Sequence, residues 1–441
     1  MESSNSRNIT PKHSTRLKQT PQARGITQIL TDASTKTNAD RTESLRVLIG
    51  ADTFAPNVNG AATFTSRLAA GLVERGHEVH VEAPAFDRHH GTFPEVHEGA
   101  NLIVHRVYSW RWFPHEWLRF VLPWRSQAHA ARILDQVKPD VVHIQSHIVI
   151  GRGLARQAKK RNIRVIATNH FMPENLIQHT LLPKFLRKTA IEIAWKDAAH
   201  TYHLCEAVTT PTKKGAEFLE AATDLRGVHA ISCGINASEY TADFSPKIRN
   251  RILFVGRLAE EKQLDVLLHA FAKLDKTLNA ELQIVGDGEL KHQLFKLAVE
   301  LGIADRVEFS GYVADSEVKD AYTQATVFAI PSIAELQSIA TLEAMSSGLP
   351  IVAADAMALP HLVHPGDNGY LFEPGNVDDL AQALTKVLEA PQEELTRLKR
   401  NSMRLVVPHD IQRTLSTFER LYRGESVVDP VTEIELDEKA N

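Results

Sequence analysis

The chain holds only two cysteines, Cys205 and Cys233, among 441 residues. They stand apart, without metal-ligand spacing and too few for a disulfide framework. The reading is a reduced, cytoplasmic protein. Charge of one sign is equally scarce, since 50 Lys and Arg against 54 Asp and Glu leave a net charge of −4. With no basic excess and no basic patch interleaved with stacking aromatics, nucleic acid is not expected as a partner. No apolar run approaches the roughly 18 residues that a spanning helix requires, so any membrane contact is expected to be peripheral, at the inner face of the cell membrane. The dinucleotide fingerprint G-x-G-x-x-G is also missing, and neither a cofactor nor a metal is expected.

What is present is length and alternation. The chain exceeds one ordinary core, and an apolar content of 43% is ample for two domains. Residues 45–50 read as a strand, 51–60 as a glycine-containing loop, 63–75 as a helix and 78–83 as a second strand, the opening unit of a Rossmann-like sheet. Further buried strands follow at 140–145 and 164–169. A second series begins near Arg251 with strands at 252–255, 281–285, 307–311, 326–330 and 351–354. The expected organisation is a tail at 1–44, a first domain at 45–235, a second domain at 236–409, a helix at 410–424 and an acidic tail at 425–441. The first tail is polar and aperiodic, and the last holds six acids and one lysine; both are expected to be disordered or solvated.

The densest stretch is PSIAELQSIATLEAMSSGLPIVAAD. A strand breaks at Pro331-Ser332, Glu335 follows, and a helix runs on through Glu343 until Gly348 and Pro350 stop it. Seven residues lie between the two glutamates, about two helical turns, which puts both on nearly one face. The helix start offers backbone N–H groups without internal partners, an anion site. Upstream, the strand ending at Val255 leads into Gly256, Arg257 and Lys262, two cations suited to a diphosphate leaving group. Taken alone, the two glutamates read first as a capping carboxylate, Glu335, and a solvated helix residue, Glu343; it is the company of the other elements that points to a site.

These four elements together resemble the retaining GT-B glycosyltransferases of the family-four type, over nearly everything from Leu45 to Arg423. The wording GRLAEEKQLDVLL, AELQSIATLEAMSSGLPIVAADAMALPHLV and HIQSHIVIGRG is most similar to actinobacterial GDP-mannose-dependent α-mannosyltransferases of membrane glycolipids. The resemblance implies an α/β fold of two Rossmann-like domains facing across a cleft. It implies a nucleotide-sugar site at Gly60, Arg257, Lys262, Gly286, Glu335, Ser338, Ile339 and Glu343, with Glu335 on the sugar and Glu343 on the ribose. It makes His170, directly after a strand, the catalytic histidine beside Glu335, with His147 at the neighbouring strand end as the alternative. Gly234 would be the hinge. Three positions depart from the family pattern: Gln145 stands where a second histidine is common, and Gln337 and Ser338 where an aromatic residue and glycine are common.

The segment 106–125 carries four tryptophans and four arginines, side chains suited to a bilayer interface and equally to packing between domains. The expected donor is GDP-mannose and the expected acceptor a lipid or glycolipid. UDP-glucose or UDP-sulfoquinovose with diacylglycerol is the nearest rival. A UDP-sugar epimerase on the same scaffold, or a non-enzymatic membrane-binding protein, are rivals of other classes.

Overall fold

The computed structural model describes residues 44–57, 59–87, 89–111, 119–173, 183–246 and 249–428. Most of the expected N-terminal tail, the acidic tail beyond Val428 and the centre of the tryptophan-rich segment lie outside the described residues.

From Arg46 the chain builds two sheets, each fed by strand–helix alternation. The first series runs β1 (Arg46–Gly50), α1 (Gly60–Glu74), β2 (Glu78–Pro84), β3 (Gly91–His97), β4 (Ala100–Val107), the short pair β5 (Trp110–Arg111) and β6 (Arg119–Phe120), then α2 (Pro123–Val137), β7 (Val141–Ile144), α3 (Ile150–Lys159), β8 (Arg164–Thr168), α4 (Lys184–Tyr202), β9 (Ala207–Thr210), α5 (Lys213–Ala222) and β10 (His229–Ala230). The second runs β11 (Asn250–Val255), α6 (Leu264–Lys273), β12 (Ala280–Val285), α7 (Lys291–Glu300), β13 (Val307–Gly311), α8 (Asp315–Gln324), β14 (Val327–Ile330), α9 (Ile339–Ser346), β15 (Ile351–Ala354), β16 (Gly369–Phe372), α10 (Val377–Leu388), α11 (Gln392–Val406) and α12 (Ile411–Arg423).

Among the described residues the first sheet has the order β10-β9-β8-β7-β1-β2-β4-β3, and the second β13-β12-β11-β14-β15-β16. All neighbours pair parallel except β3 with β4. Parallel strands are covered on both faces, and the strands read accordingly: VFAI of β14 and IVAA of β15 are buried at every residue. The β3–β4 hairpin is an addition that sequence reading missed, because its outward residues Phe93, Val96 and Ile103 are exposed and blur the alternation. Both sheets reverse direction once, between β1 and β7 and between β11 and β14. Ligands of open α/β sheets sit outside the carboxyl ends of strands at such a reversal. The sequence therefore delivers two facing reversal points.

Two strands of backbone join the sheets. Ile235 N–H donates to His409 O at 2.7 Å, and Ile411 N–H to Ile235 O at 3.1 Å, so both crossovers run side by side. Gly234 has φ +76°, and a Cβ there would stand 2.9 Å from Ile411 Cα. Only glycine fits this approach. Beyond the crossover, α12 packs on α1 and β8, and Tyr422 OH meets buried His143 Nδ1 at 2.7 Å.

Candidate active site

The reversal in the second sheet puts the end of β11 next to the end of β14. From the first come Arg257 and Lys262, from the second Glu335. Lys262 Nζ and a Glu335 carboxylate oxygen form an ion pair, with both side chains largely buried. Arg257 Nη2 donates to Glu261 Oε1 at 2.5 Å. Burial opposes the Glu261 charge, yet Arg257 holds its carboxyl below the ordinary range. Glu335 is not the helix cap: Ser338 is, its Oγ accepting from Thr341 N–H, so Glu335 is left for other work. Ile339 opens the helix, and the first N–H groups of α9 have no intrahelical acceptor.

Gly286 stands at the end of β12, where a Cβ would come within 1.9 Å of Gly256 O. Two loops at the carboxyl edge touch through backbone there, and no side chain can be accommodated.

Across from α9 stands the start of α1. Asn59 caps it, Oδ1 accepting from Ala62 N–H at 2.9 Å, and Gly60 is its first residue rather than the corner of a tight turn. A Cβ on Gly60 would lie 3.8 Å from Ile339 Cδ1. Two helix N-termini from different sheets thus meet at one place, with Lys262 and Arg257 supplied by the second sheet. Helix ends and cations acting together favour a dianion.

Glu343 sits further along α9. Its Oε1 accepts from Arg67 Nη2 of α1 at 2.9 Å and its Oε2 from Tyr322 OH at 3.1 Å. Burial works against the Arg67 charge, but Glu343 more than offsets it and raises the guanidinium's already high pKa. Neither partner was foreseen. Arg67 follows Gly60 by about two helical turns, so the helical period puts both on one face of α1; that was the available signal.

His170 follows β8, one strand over from the reversal in the first sheet. Its Nε2 lies 3.0 Å from Gln145 Oε1, and its ring centroid 4.9 Å from that of Phe64. Burial pulls the imidazole down to about 3. The ring is partly exposed, so water softens the effect without reversing it; at neutral pH His170 is uncharged. His147 is placed differently. It is 4% exposed, 3.3 Å from Tyr202 OH and packed against Phe171, and burial lowers it to about 4. Its surroundings are those of a wall residue. Nearby, Asp52 caps α3 from the end of β1, accepting from Val149 N–H at 3.1 Å and Ile150 N–H at 2.9 Å.

Gln337, one of the departures from the family pattern, hydrogen-bonds to the segment at 232–233. Its Oε1 accepts from Cys233 N–H at 2.7 Å and its Nε2 donates to Ser232 Oγ at 2.9 Å. The side chain turns to the crossover, while Leu336 O accepts from Thr212 Oγ1 at 2.9 Å. Of the segment 106–125, Arg106 is 8% exposed and donates Nε to Glu95 Oε1 at 2.8 Å. Trp124, by contrast, is 66% exposed, and Arg125 stacks over Tyr108 and Trp110.

Among the described residues no group of three His, Cys, Asp or Glu side chains is arranged to hold a metal ion, and no helix is long and apolar enough to cross a membrane.

Comparison with known proteins matches residues 58–239 to the pattern described as Glycosyltransferase Family 4 and residues 241–404 to that described as Glycosyl transferases group 1. The chain is similar to the GDP-mannose-dependent alpha-mannosyltransferase of Mycolicibacterium smegmatis, 30% identical over 339 residues that cover 75% of this chain and 84% of that protein. It is also similar to the alpha-monoglucosyldiacylglycerol synthase of Acholeplasma laidlawii, 26% identical over 396 residues, 86% of this chain and 96% of that one. Among solved structures, sucrose-phosphate synthase from Thermosynechococcus elongatus superimposes with a TM-score of 0.71 at 17% identity, covering 86% of this chain and 98% of that one.

Proposed function

Since the chain belongs to the group 1 and family 4 glycosyltransferases of GT-B architecture, we propose that it moves a hexose, with retention, from a nucleoside-diphosphate sugar to a lipid or glycolipid acceptor. Mannose from GDP-mannose is the donor we favour. The observation that carries the reading is the meeting of two helix N-termini, at Gly60 and Ile339, beside Lys262 and Arg257. As the sugar departs from its diphosphate, negative charge grows on the β-phosphate, and these groups answer it electrostatically.

In this reading the Lys262–Glu335 ion pair is exchanged when a donor enters. Lys262 turns to phosphate, and the released Glu335 carboxylate accepts from sugar hydroxyls. His170, uncharged, holds the sugar from the facing sheet as a hydrogen-bond partner. Glu343 takes the ribose. Holding acceptor and donor in line supplies much of the remaining acceleration, and closure about Gly234 keeps water from hydrolysing the donor. Exposed Trp124, with Arg125 nearby, suits peripheral contact with the membrane that carries the acceptor.

The mannose preference rests on the wording of the motifs and on the 30% likeness to a GDP-mannose-dependent enzyme. UDP-glucose is the second reading, because the likeness to a glucosyldiacylglycerol synthase extends over more of the chain. Calorimetric titration with GDP-mannose and UDP-glucose, followed by chromatography of products formed with glycolipid and diacylglycerol vesicles, tests both. Tighter GDP-mannose binding and a mannosylated lipid are expected. Preference for UDP-glucose moves the protein to the second reading; an epimerised free sugar nucleotide, or binding of neither donor, overturns the transferase assignment.

A further inference from the structure

Glu343 and Arg67 form an ion pair across the cleft at 2.9 Å, with side chains 14% and 18% exposed. Each belongs to the helix whose N-terminus faces the proposed diphosphate site, and each lies further along its helix than the first turn. The pair therefore sits one step beyond the phosphates, where the next part of a nucleotide would lie. Both Glu343 oxygens are engaged, Oε1 by Arg67 and Oε2 by Tyr322 OH. Arg67 is not saturated: its Nη1 is buried and has no hydrogen-bond partner among the described residues. A buried donor without an acceptor costs on the order of 1–3 kcal/mol. A ligand that supplies an acceptor removes that cost.

The ligand has to satisfy opposite demands at one place. Glu343 accepts only, and Arg67 donates only. A phosphate suits Arg67 but is repelled by Glu343; an ammonium group suits Glu343 but is repelled by Arg67. A hydroxyl satisfies both, because its proton goes to the carboxylate while its oxygen accepts from the guanidinium. Two neighbouring hydroxyls suit a planar carboxylate and a planar guanidinium side by side.

We infer that Arg67 is a second reader of the donor's ribose, contacting from α1 the same vicinal diol that Glu343 contacts from α9. The inference rests on the proposal that Glu343 takes the ribose, and adds a residue from the opposite sheet. A diol held by both helices links the two domains, so binding of the nucleoside also favours the closed arrangement. Loss of either hydroxyl would leave one partner unsatisfied, which makes Arg67 a determinant of ribose over deoxyribose.

The test is calorimetric titration of the full chain with GDP and UDP, and with the 2′-deoxy and 3′-deoxy forms of the tighter binder. Wild type, Arg67→Gln, Arg67→Lys and Glu343→Gln are compared, with thermal unfolding as the control for folding. Wild type is expected to prefer the ribonucleotide by about tenfold, some 1.4 kcal/mol. In Arg67→Gln that preference should collapse, with the ribonucleotide weakened and the deoxy forms nearly unchanged. Arg67→Lys keeps the ion pair and the fold and should fall between. If Arg67→Gln and Arg67→Lys weaken ribo and deoxy forms by one common factor, or leave the preference intact, Arg67 is only a strut between domains and the inference falls, while the ribose role of Glu343 stands. If Glu343→Gln itself retains the full preference, the ribose reading falls and takes the inference with it.

Discussion

Gln337 Oε1 accepts the backbone N–H of Cys233 at 2.7 Å, so a residue two positions past Glu335 is anchored to the crossover between the sheets. The loop that presents Glu335 is thereby coupled to the part of the chain that must move if the cleft closes. Replacing Gln337 by Leu leaves the N–H of Cys233 buried and unpaired, and Ser232 short of a donor. A loss of about 1–3 kcal/mol of stability is expected, read as a lower unfolding temperature, together with a raised KM for donor. An unchanged unfolding temperature would detach this side chain from the hinge.

Lys262→Ala and Glu335→Gln separate two roles. Loss of Lys262 removes a cation from the departing phosphate, and kcat should fall by roughly 10²–10³, the scale of one lost transition-state contact. Nucleoside diphosphate binding should weaken as well. Glu335→Gln keeps the phosphate cations and should lower turnover while nucleoside diphosphate alone binds nearly as before. Steady-state kinetics and calorimetry with the free nucleotide make the comparison; equal effects on free nucleotide binding would contradict the division.

Two glycines predict opposite outcomes. Gly286→Ala puts a Cβ 1.9 Å from Gly256 O, a clash with backbone that cannot be rotated away, and a marked fall in unfolding temperature is expected. Gly60→Ala meets only Ile339 Cδ1 at 3.8 Å, ordinary contact. Alanine also favours the helix by up to about 1 kcal/mol, so the fold should be kept. If backbone N–H groups at Gly60 approach the diphosphate, donor KM should nevertheless rise.

The pH dependence of stability follows from five histidines. Burial holds His105, His143 and His170 near 3, and His147 and His409 near 4, against about 6.5 in an unfolded chain. Above the unfolded value both states are neutral and these groups leave stability unchanged. Between about 6.5 and 4 the unfolded chain binds protons that the folded one refuses, so stability declines as pH falls through that window. In His143→Gln the decline should be shallower by up to one proton, about 1.4 kcal/mol per pH unit. Denaturant unfolding at stepped pH values measures the slope. An equal slope would mean that His143 is not held neutral.

Asp52→Asn addresses the first sheet. The aspartate accepts from the N–H groups of Val149 and Ile150 at the start of α3, and its charge suits that end of the helix. A cost of about 0.5–2 kcal/mol is expected on its replacement by Ala, and less with Asn, which can still accept. Calorimetric unfolding of both variants checks the order.

Much of the second sheet was legible because its signals are local. Strands such as IVAA are wholly apolar, Arg257, Lys262 and Glu335 each follow a strand end by two to seven residues, and Glu343 lies on the helix after Glu335. Periodicity carries that information directly. What was not legible is pairing between distant segments. Arg67 and Glu343 are 276 positions apart, and Gln337 and Cys233 are 104 apart. No local rule links them, so neither the pairing of Arg67 with Glu343 nor the engagement of Gln337 with the crossover could be read from the sequence. Arg106 was missed for a related reason: it borders a run of Trp and Arg, and only the β3–β4 hairpin, itself unforeseen, shows that Glu95 takes its guanidinium inward.

The position of α12 bears on how the protein is made. The ring of Tyr422 closes over His143, which is wholly shielded from solvent, yet the two lie 279 positions apart in sequence. During synthesis the first sheet leaves the ribosome long before the helix that covers this spot. Until α12 has emerged, the apolar surface around Phe64 and His143 that Phe418 later covers stays open to water or to a chaperone. A chain truncated between the second sheet and α12 would thus be defective in its first half, because the segment that covers His143 would be missing.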